Sequence, residues 1–393
     1  MNNARKRAHK RAPLGVPFGI PLGVALCLAS LTLVACSGGD DGAASKAPAG
    51  DAVAGRTIAD KECKACHGLD GKGTSPGVPH LAGQSARYIL ASLAEYTRKQ
   101  RQHDALRAIA EHMSEADQRN VAAYFASLPP IPPQAGITVF SPYERGRSLA
   151  PTCTSCHGSA GNSTTPGTPT LAGQQPRYFV AATNEYLNGA RSTAPMHALV
   201  RDLNRTDLES VALYFASQTP AVRGKPAVGD PAAGEAKTRL CAGCHGPQGV
   251  STDAATPTLA GQDAEYLVNS TKAYRIARKH PAMQRAVAGL SDKDIENIAA
   301  FYATQKSKPA ENGEKFVQDL TAKCNRCHGS EARETGSVAV PNLRAQDLDY
   351  LVMALRAYRD DRRQSSVMHN MSFPVGDAAV ESIATFYASQ PAK

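Results

Sequence analysis

The motif Cys-x-x-Cys-His occurs four times in this chain of 393 residues, at intervals of 90, 88 and 83 residues. The four copies are Cys63, Cys66 and His67; Cys153, Cys156 and His157; Cys241, Cys244 and His245; and Cys324, Cys327 and His328. In this spacing two thiols bind haem covalently, and the adjacent histidine becomes the proximal ligand of its iron. The repetition therefore predicts four c-type haems, one for each of four similar units.

Two other sites use a Cys-x-x-Cys pair. A structural zinc site would need a second pair of ligands in every repeat, and none is apparent. A thioredoxin-type redox pair would need neither the invariable histidine nor four copies. Covalent haem attachment is therefore the favoured interpretation.

The N-terminus has the layout of a secretory signal. A basic start is followed by an apolar stretch that ends at Ala35, so residues 1–35 are predicted as a signal peptide and 36–50 as a flexible linker. The residues before Cys36 resemble a bacterial lipobox, which predicts lipidation of Cys36 and a membrane-anchored lipoprotein facing the periplasm. Ordinary cleavage near Ala35 and an uncleaved membrane anchor are the alternatives.

The charge says little about partners. The formal net charge is +9, but five basic residues precede Cys36, so the rest of the chain carries only +4. After Cys36 the chain has no run of lysines and arginines and no nucleic-acid motif, and we expect no nucleic-acid partner. A mild positive balance permits docking to acidic redox proteins.

The similarity between the units extends well beyond the motif. Each unit has a proline 12 or 13 residues after the histidine, then a leucine, a glutamine and two tyrosines at matching offsets. The glutamines are Gln84, Gln174, Gln262 and Gln346. Proline-rich and polar linkers separate the units. The predicted domains, called repeats 1 to 4 below, are 51–130, 135–220, 224–306 and 310–391.

The periodicity of the repeats is helical. Apolar residues recur at helical spacing between the two tyrosines, and a closing helix begins at Ser114, Asn204 or Ser291, each followed three residues later by an aspartate. A short helix is expected before each haem motif. No segment alternates as a strand does, so the predicted fold class is all-α.

These motifs resemble the class I c-type cytochromes and, more closely, the dihaem cytochrome c4 family. The match covers all four repeats, and the chain resembles two of the family's domain pairs in tandem. The resemblance implies a small helical fold around each haem. It also implies a proline carbonyl that orients the proximal histidine by a hydrogen bond, here from Pro79, Pro169, Pro257 and Pro341.

In this family the sixth iron ligand should be methionine, whose soft thioether raises the potential. Met196, Met283 and Met368 occupy one repeat position, and Met371 is a rival to Met368 that fits the spacing less well. Repeat 1 has Leu106 there, and leucine cannot bind iron.

The first haem therefore has three possible arrangements. Its iron is five-coordinate or water-bound, or it is bound by His103 or by Met113. Met113 aligns with apolar residues of the other repeats, which favours core packing. His103 aligns with His280, which precedes a predicted methionine ligand by three residues.

One arginine stands five residues before each sixth-ligand position. A solvated charge at a helix end would account for it, but the forked donors of arginine also suit a haem propionate. The candidates are Arg101, Arg191, Arg278 and Arg363.

The leading functional interpretation is a carrier of single electrons between respiratory redox partners, passing them on to an oxidase or reductase. The repeats occupy nearly the whole chain and leave no separate substrate pocket, so catalysis is not expected. Two alternatives stay open. One is a peroxidase-like enzyme that uses an open first haem with His103 or Arg107, and the other is an electron-accepting subunit of a dehydrogenase.

Overall fold

The computed structural model describes residues 50–191, 194–224, 226–310, 316–329 and 339–392. The predicted signal peptide, Cys36 and nearly all of the first linker lie outside these residues. The described part consists of helices and loops, with one isolated bridge between Arg101 and Arg363. The all-α prediction is therefore confirmed. Within the described ranges no helix is long and apolar enough to span a membrane.

The helices follow one plan in each repeat. Up to the haem motif there is one helix in repeat 4 and two successive helices in repeats 1 to 3, one helix follows the shared glutamine, and a short helix, called the third helix below, precedes a long closing helix. Repeat 1 contains α1 Ala52–Glu62, α2 Lys64–His67, α3 Ala86–Thr97, α4 Asp104–His112 and α5 Glu115–Ser127. Repeat 2 contains α6 Pro142–Leu149, α7 Pro151–His157, α8 Pro176–Leu187, α9 Ala194–Val200 and α10 Arg205–Ser217. Repeat 3 contains α11 Pro231–Glu235, α12 Arg239–His245, α13 Ala264–Ala273, α14 Pro281–Val287 and α15 Asp292–Thr304. Repeat 4 contains α16 Phe316–His328, α17 Leu348–Arg359, α18 Ser366–Ser372 and α19 Asp377–Ser389.

The closing helices begin where their capping residues predict. The side chains of Ser114, Asn204 and Ser291 accept a hydrogen bond from the main-chain amide three residues on, at 3.1, 2.8 and 3.1 Å. Such a bond satisfies one of the amides that a helix start leaves unpaired. Repeat 4 differs, because Gly376 stands at this position and offers no side chain.

The first and closing helices of repeats 1 to 3 touch through their main chains. A Cβ atom added at Gly55, Gly146 or Gly234 would lie 2.0, 2.1 or 1.9 Å from a carbonyl oxygen of the closing helix. No side chain other than hydrogen fits there. The contact fixes the closing helix, whose buried aromatic residue, such as Phe125 or Phe215, is part of each small core.

The four repeats form two pairs, an inner pair of repeats 2 and 3 and an outer pair of repeats 1 and 4. Gln174 and Gln262 join repeats 2 and 3, and Gln84 and Gln346 join repeats 1 and 4. The expectation of two pairs in tandem is therefore wrong in its pairing. Every repeat carries the same interface glutamine, so the glutamines alone do not select the partner.

Repeat 4 also contacts repeat 2. The main chain of Phe140, just before α6 in repeat 2, donates to Thr385 Oγ1 at 2.9 Å and accepts from Ser382 Oγ at 2.7 Å. The amide of Ala378, at the start of α19, donates to the buried Glu209 of α10 at 3.0 Å. These bonds hold α19 beside the chain that leaves repeat 1, and the described residues from Gly50 onward form one compact body.

Candidate haem-binding sites

Each haem motif ends a helix. The histidines close α2, α7, α12 and α16, and a glycine follows each one. Gly68, Gly158 and Gly246 have φ angles of 62, 77 and 81°, which glycine adopts readily and other residues rarely do, so the chain can leave the helix here. Two cysteines three residues apart on a helix share one face, so both thiols of a motif can reach one planar ligand.

The thiols suit haem attachment better than redox chemistry or zinc binding. All eight are free, and in each motif the first is half-buried and the second exposed. Burial raises the pKa of Cys63 and of Cys153 to about 11, with Glu62 and Cys66 adding to it at Cys63. A thioredoxin-type pair needs a lowered thiol pKa. Among the described residues no group of three His, Cys, Asp or Glu side chains could hold a bare metal ion.

The proximal histidines are oriented by proline carbonyls. Nδ1 of His67, His157, His245 and His328 lies 3.0, 2.8, 2.9 and 3.0 Å from the carbonyl oxygen of Pro79, Pro169, Pro257 and Pro341. A proton on Nδ1 donates this bond and leaves the lone pair of Nε2 free for iron. Burial lowers the pKa of all four imidazoles, and the proline carbonyl opposes this only in part. The rings are therefore held neutral, as a metal ligand must be.

The predicted sixth ligands share one structural position. Met196, Met283 and Met368 are each the third residue of the short third helix of their repeat, and Leu106 is the third residue of α4. The three methionines are half-buried. Met371 lies almost one turn further along α18 and is 39% exposed.

His103 caps the helix that carries Leu106. Its Nδ1 accepts the Leu106 amide at 3.2 Å, as His280 Nδ1 accepts the amide of Met283 at 3.4 Å. An Nδ1 that accepts carries no proton, so in the neutral ring Nε2 is protonated and has no lone pair for iron. Met113 is buried at 9% exposure in the core of repeat 1, beside Ile89 and Phe125.

The four arginines lie on tyrosine rings. Arg101, Arg191 and Arg363 are 7% exposed, and Arg278 is half-buried over the ring of Tyr274. Arg101 donates to Glu95 at 2.5 Å, and Arg191 donates to Glu185.

Repeat 4 has Ala357 where repeats 1 and 2 have these glutamates, so Arg363 lacks the equivalent carboxylate. Arg363 donates to Tyr88 Oη of repeat 1 at 2.9 Å, while its Nε is buried without a hydrogen-bond partner among the described residues. An unpaired buried guanidinium nitrogen fits an anionic group that the protein itself does not supply. The free thiols, the neutral imidazoles and this donor together fit haem.

Sequence reasoning found the glutamines but assigned them no role. All four are buried, at 5 to 7% exposure, and each binds main-chain atoms of the paired repeat. The available signal was a long polar side chain at one offset of every repeat, which a solvated position would not preserve.

Comparisons with known proteins show the family to which this chain belongs. The family model described as Cytochrome c matches residues 52–129 and 232–306. A relative from Pseudomonas aeruginosa, cytochrome c4, is 36% identical over 174 residues, covering 40% of this chain and 85% of that protein. A thiosulfate dehydrogenase electron acceptor from Stutzerimonas stutzeri is 32% identical over 169 residues, covering 39% and 78%.

Among solved structures, reduced recombinant cytochrome c4 from Pseudomonas stutzeri aligns with a TM-score of 0.38 and 30% identity, over 42% of this chain and 98% of that one. The sequence identity to the Pseudomonas aeruginosa protein extends over most of that relative's length. The Cytochrome c family model covers the haem motifs of repeats 1 and 3. This chain therefore belongs to the cytochrome c4 family of electron-transfer cytochromes.

Proposed function

We propose that the chain carries four covalent c-type haems and passes single electrons between respiratory partners in the periplasm. The observation that carries the proposal is that four Cys-x-x-Cys-His motifs, each with its histidine on a proline carbonyl, lie in one compact body. Each haem, when bound, supplies a one-electron iron couple. In this proposal the protein holds each imidazole neutral, leaves its Nε2 lone pair free for iron and, in repeats 2 to 4, offers a thioether.

Mass spectrometry of the purified protein tests the haem number. The expected mass is that of the polypeptide plus four haems, with a c-type pyridine haemochrome of the same stoichiometry. Replacing Cys241 and Cys244 by alanine should remove one haem. Three haems in the unmodified protein would refute the proposal.

We propose that Met196, Met283 and Met368 bind iron in repeats 2 to 4, and that haem 1 has an open or water-bound sixth position. The support is the helix position that Leu106 shares with the methionines, together with the cap made by His103. Carbon monoxide added to the reduced protein should bind one haem readily. Binding by none of the four would contradict the open position.

We propose that Arg101, Arg191, Arg278 and Arg363 contact haem propionates, with Arg363 as the strongest candidate because its Nε lacks a protein partner. Arg363→Lys keeps the charge but loses the fork, and should shift the potential of one haem. An unchanged redox titration would contradict this role.

The second candidate function is that of an electron acceptor docked on a dehydrogenase. Relatives named thiosulfate dehydrogenase electron acceptor favour it, from Stutzerimonas stutzeri and from Thiomonas intermedia at 29% identity. The test is reduction of the oxidised protein by a thiosulfate dehydrogenase with thiosulfate. Reduction within mixing time would support this function, and no reduction would exclude thiosulfate dehydrogenase as the donor.

We also propose that Cys36 is lipidated and anchors the protein to a bacterial membrane. Several acyl chains anchor a protein firmly where one chain binds weakly. The protein should therefore stay in the membrane fraction after a salt wash, and Cys36→Ala should release it. Retention of the variant would indicate an uncleaved helical anchor instead.

A further inference from the structure

Each buried glutamine binds both main-chain groups of one residue in the paired repeat. Gln346 of repeat 4 accepts the amide of His80 in repeat 1 at 2.6 Å, and its Nε2 donates to the His80 carbonyl at 2.9 Å. Gln84 of repeat 1 binds Asn342 of repeat 4 in the same way, at 2.9 and 3.0 Å. The amide that follows each glutamine also donates to Oε1, which fixes the side chain.

The residue that Gln346 binds directly follows the proline that orients the proximal histidine. The His80 amide and the Pro79 carbonyl are the two ends of one planar peptide group. That carbonyl accepts from His67 Nδ1 at 3.0 Å. A continuous chain of two hydrogen bonds and one peptide group thus connects Gln346 of repeat 4 with the imidazole of haem 1.

The same arrangement occurs in all four repeats. The amides of Thr258, Thr170 and Asn342 donate to a glutamine Oε1 at 2.8, 2.7 and 2.9 Å. Each of these residues follows the proline whose carbonyl is bound by His245, His157 or His328. The glutamine in every case comes from the other repeat of the pair. Gln174 acts on repeat 3, Gln262 on repeat 2 and Gln84 on repeat 4.

Hydrogen bonds in such a chain polarise one another. A bond accepted from the peptide amide draws electron density toward the carbonyl oxygen, which then accepts more strongly from the imidazole. A stronger bond at Nδ1 raises the basicity of the ligand nitrogen, and this stabilises ferric iron over ferrous iron. Burial of the glutamines keeps water from competing for these bonds.

We propose that each of the four glutamines is a positioning residue that lowers the potential of the haem in the opposite repeat of its pair. Gln346 acts on haem 1, Gln84 on haem 4, Gln174 on haem 3 and Gln262 on haem 2. The inference rests on the proposed haem attachment, because it concerns the ligand histidines.

The test compares Gln346→Leu with Gln84→Leu, two equivalent changes on the two sides of one interface. Potentials are read by a redox titration followed by paramagnetic NMR, with each haem's methyl signals assigned through contacts to its own repeat. Gln346→Leu should favour reduction of haem 1 by up to about tenfold, which raises its potential by about 59 mV for one electron. The potential of haem 4 should stay unchanged. Gln84→Leu should do the reverse.

A shift confined to the haem of the mutated repeat, or equal shifts of both haems, would overturn the proposal. A fall in melting temperature without any potential change would overturn it as well, since it would leave the glutamines a purely structural role. Haem counting is done first on the unmodified protein, because fewer than four haems there would refute the haem assignment and not the role of the glutamines.

The variant Gln346→Glu keeps the test valid if leucine disrupts the fold. A carboxylate still accepts from the His80 amide, so the potential of haem 1 should stay at or below that of the unmodified protein. A potential of haem 1 above that of the unmodified protein would overturn the proposal.

Discussion

Gln174→Leu should open the interface between repeats 2 and 3 and leave the outer pair closed. Gln174 donates to the Thr258 carbonyl at 3.0 Å and accepts the amides of Thr258 and Gln175 at 2.8 and 2.9 Å. Leucine has a similar size but makes none of these bonds. The two Thr258 groups are then left unpaired in a buried interface.

An unpaired buried main-chain group costs about 1–3 kcal/mol, so the two groups of Thr258 together cost roughly 2–6 kcal/mol. Since about 1.4 kcal/mol is a factor of ten, the Thr258 amide should exchange its hydrogen about 30-fold to about 20,000-fold faster. Hydrogen exchange read by NMR or mass spectrometry measures this.

Gln175→Leu is the matched control. Gln175 is equally buried and neighbours Gln174, but its side chain makes one bond to the paired repeat, to Ser251 O at 2.7 Å. It should therefore accelerate exchange at Thr258 far less. If Gln174→Leu instead accelerated hydrogen exchange at the His80 amide of repeat 1 and left Thr258 protected, repeats 1 and 2 would be the true pair. The pairing of repeat 2 with repeat 3 and of repeat 1 with repeat 4 would then be refuted.

Three further predictions concern single positions. Leu106→Met should add the sulfur-to-iron charge-transfer absorption of a fourth haem and raise the potential of haem 1, because a thioether stabilises ferrous iron. An unchanged absorption at the red edge of the visible spectrum would contradict the equivalence of Leu106 with the methionines. Gly146→Ala should destabilise the protein by about 1–3 kcal/mol in thermal unfolding, because its Cβ would lie 2.1 Å from Ser210 O. Gly243→Ala is the control, since nothing outside its own helix lies within 4 Å of the new Cβ, and it should stabilise the protein by up to about 1 kcal/mol. Equal effects of the two changes would contradict the close helix contact. Burial alone would raise the pKa of Asp377, but the hydrogen bonds and charges of Arg359 and Arg356 outweigh burial and lower the pKa below its usual value. The ionised carboxylate therefore stabilises the fold at a pH above its unfolded pKa. This stability is lost as the pH falls through the folded pKa. Asp377→Asn should therefore flatten the acid end of a stability-against-pH curve, and an unchanged curve would contradict the ion pair.

The sequence alone was enough for the local features. The spacing of cysteines and histidine specifies a haem motif, because both thiols must reach one ligand from one helix face. The capping residues Ser114, Asn204 and Ser291 predict where the closing helices begin, and the structure begins them there. The shared repeat position of Met196, Met283 and Met368 also followed from counting along the chain, although the short helix that carries them did not. All of these depend on residues near one another in sequence.

The pairing of the repeats needed the tertiary structure. Gln84, Gln174, Gln262 and Gln346 are the same residue at the same offset, so the sequence shows neither that they form an interface nor which repeats share it. The choice depends on contacts between distant segments, such as Phe140 with Ser382 and Thr385.

The role of His103 was hidden for a related reason. Sequence spacing places an imidazole near haem 1, but only the position of the Leu106 amide shows that Nδ1 is already an acceptor. Local chemistry could be read from local sequence, because a motif or a cap involves only a few successive residues. Partner selection and the direction of a hydrogen bond are determined by atoms far apart in the chain, which only the folded molecule brings together.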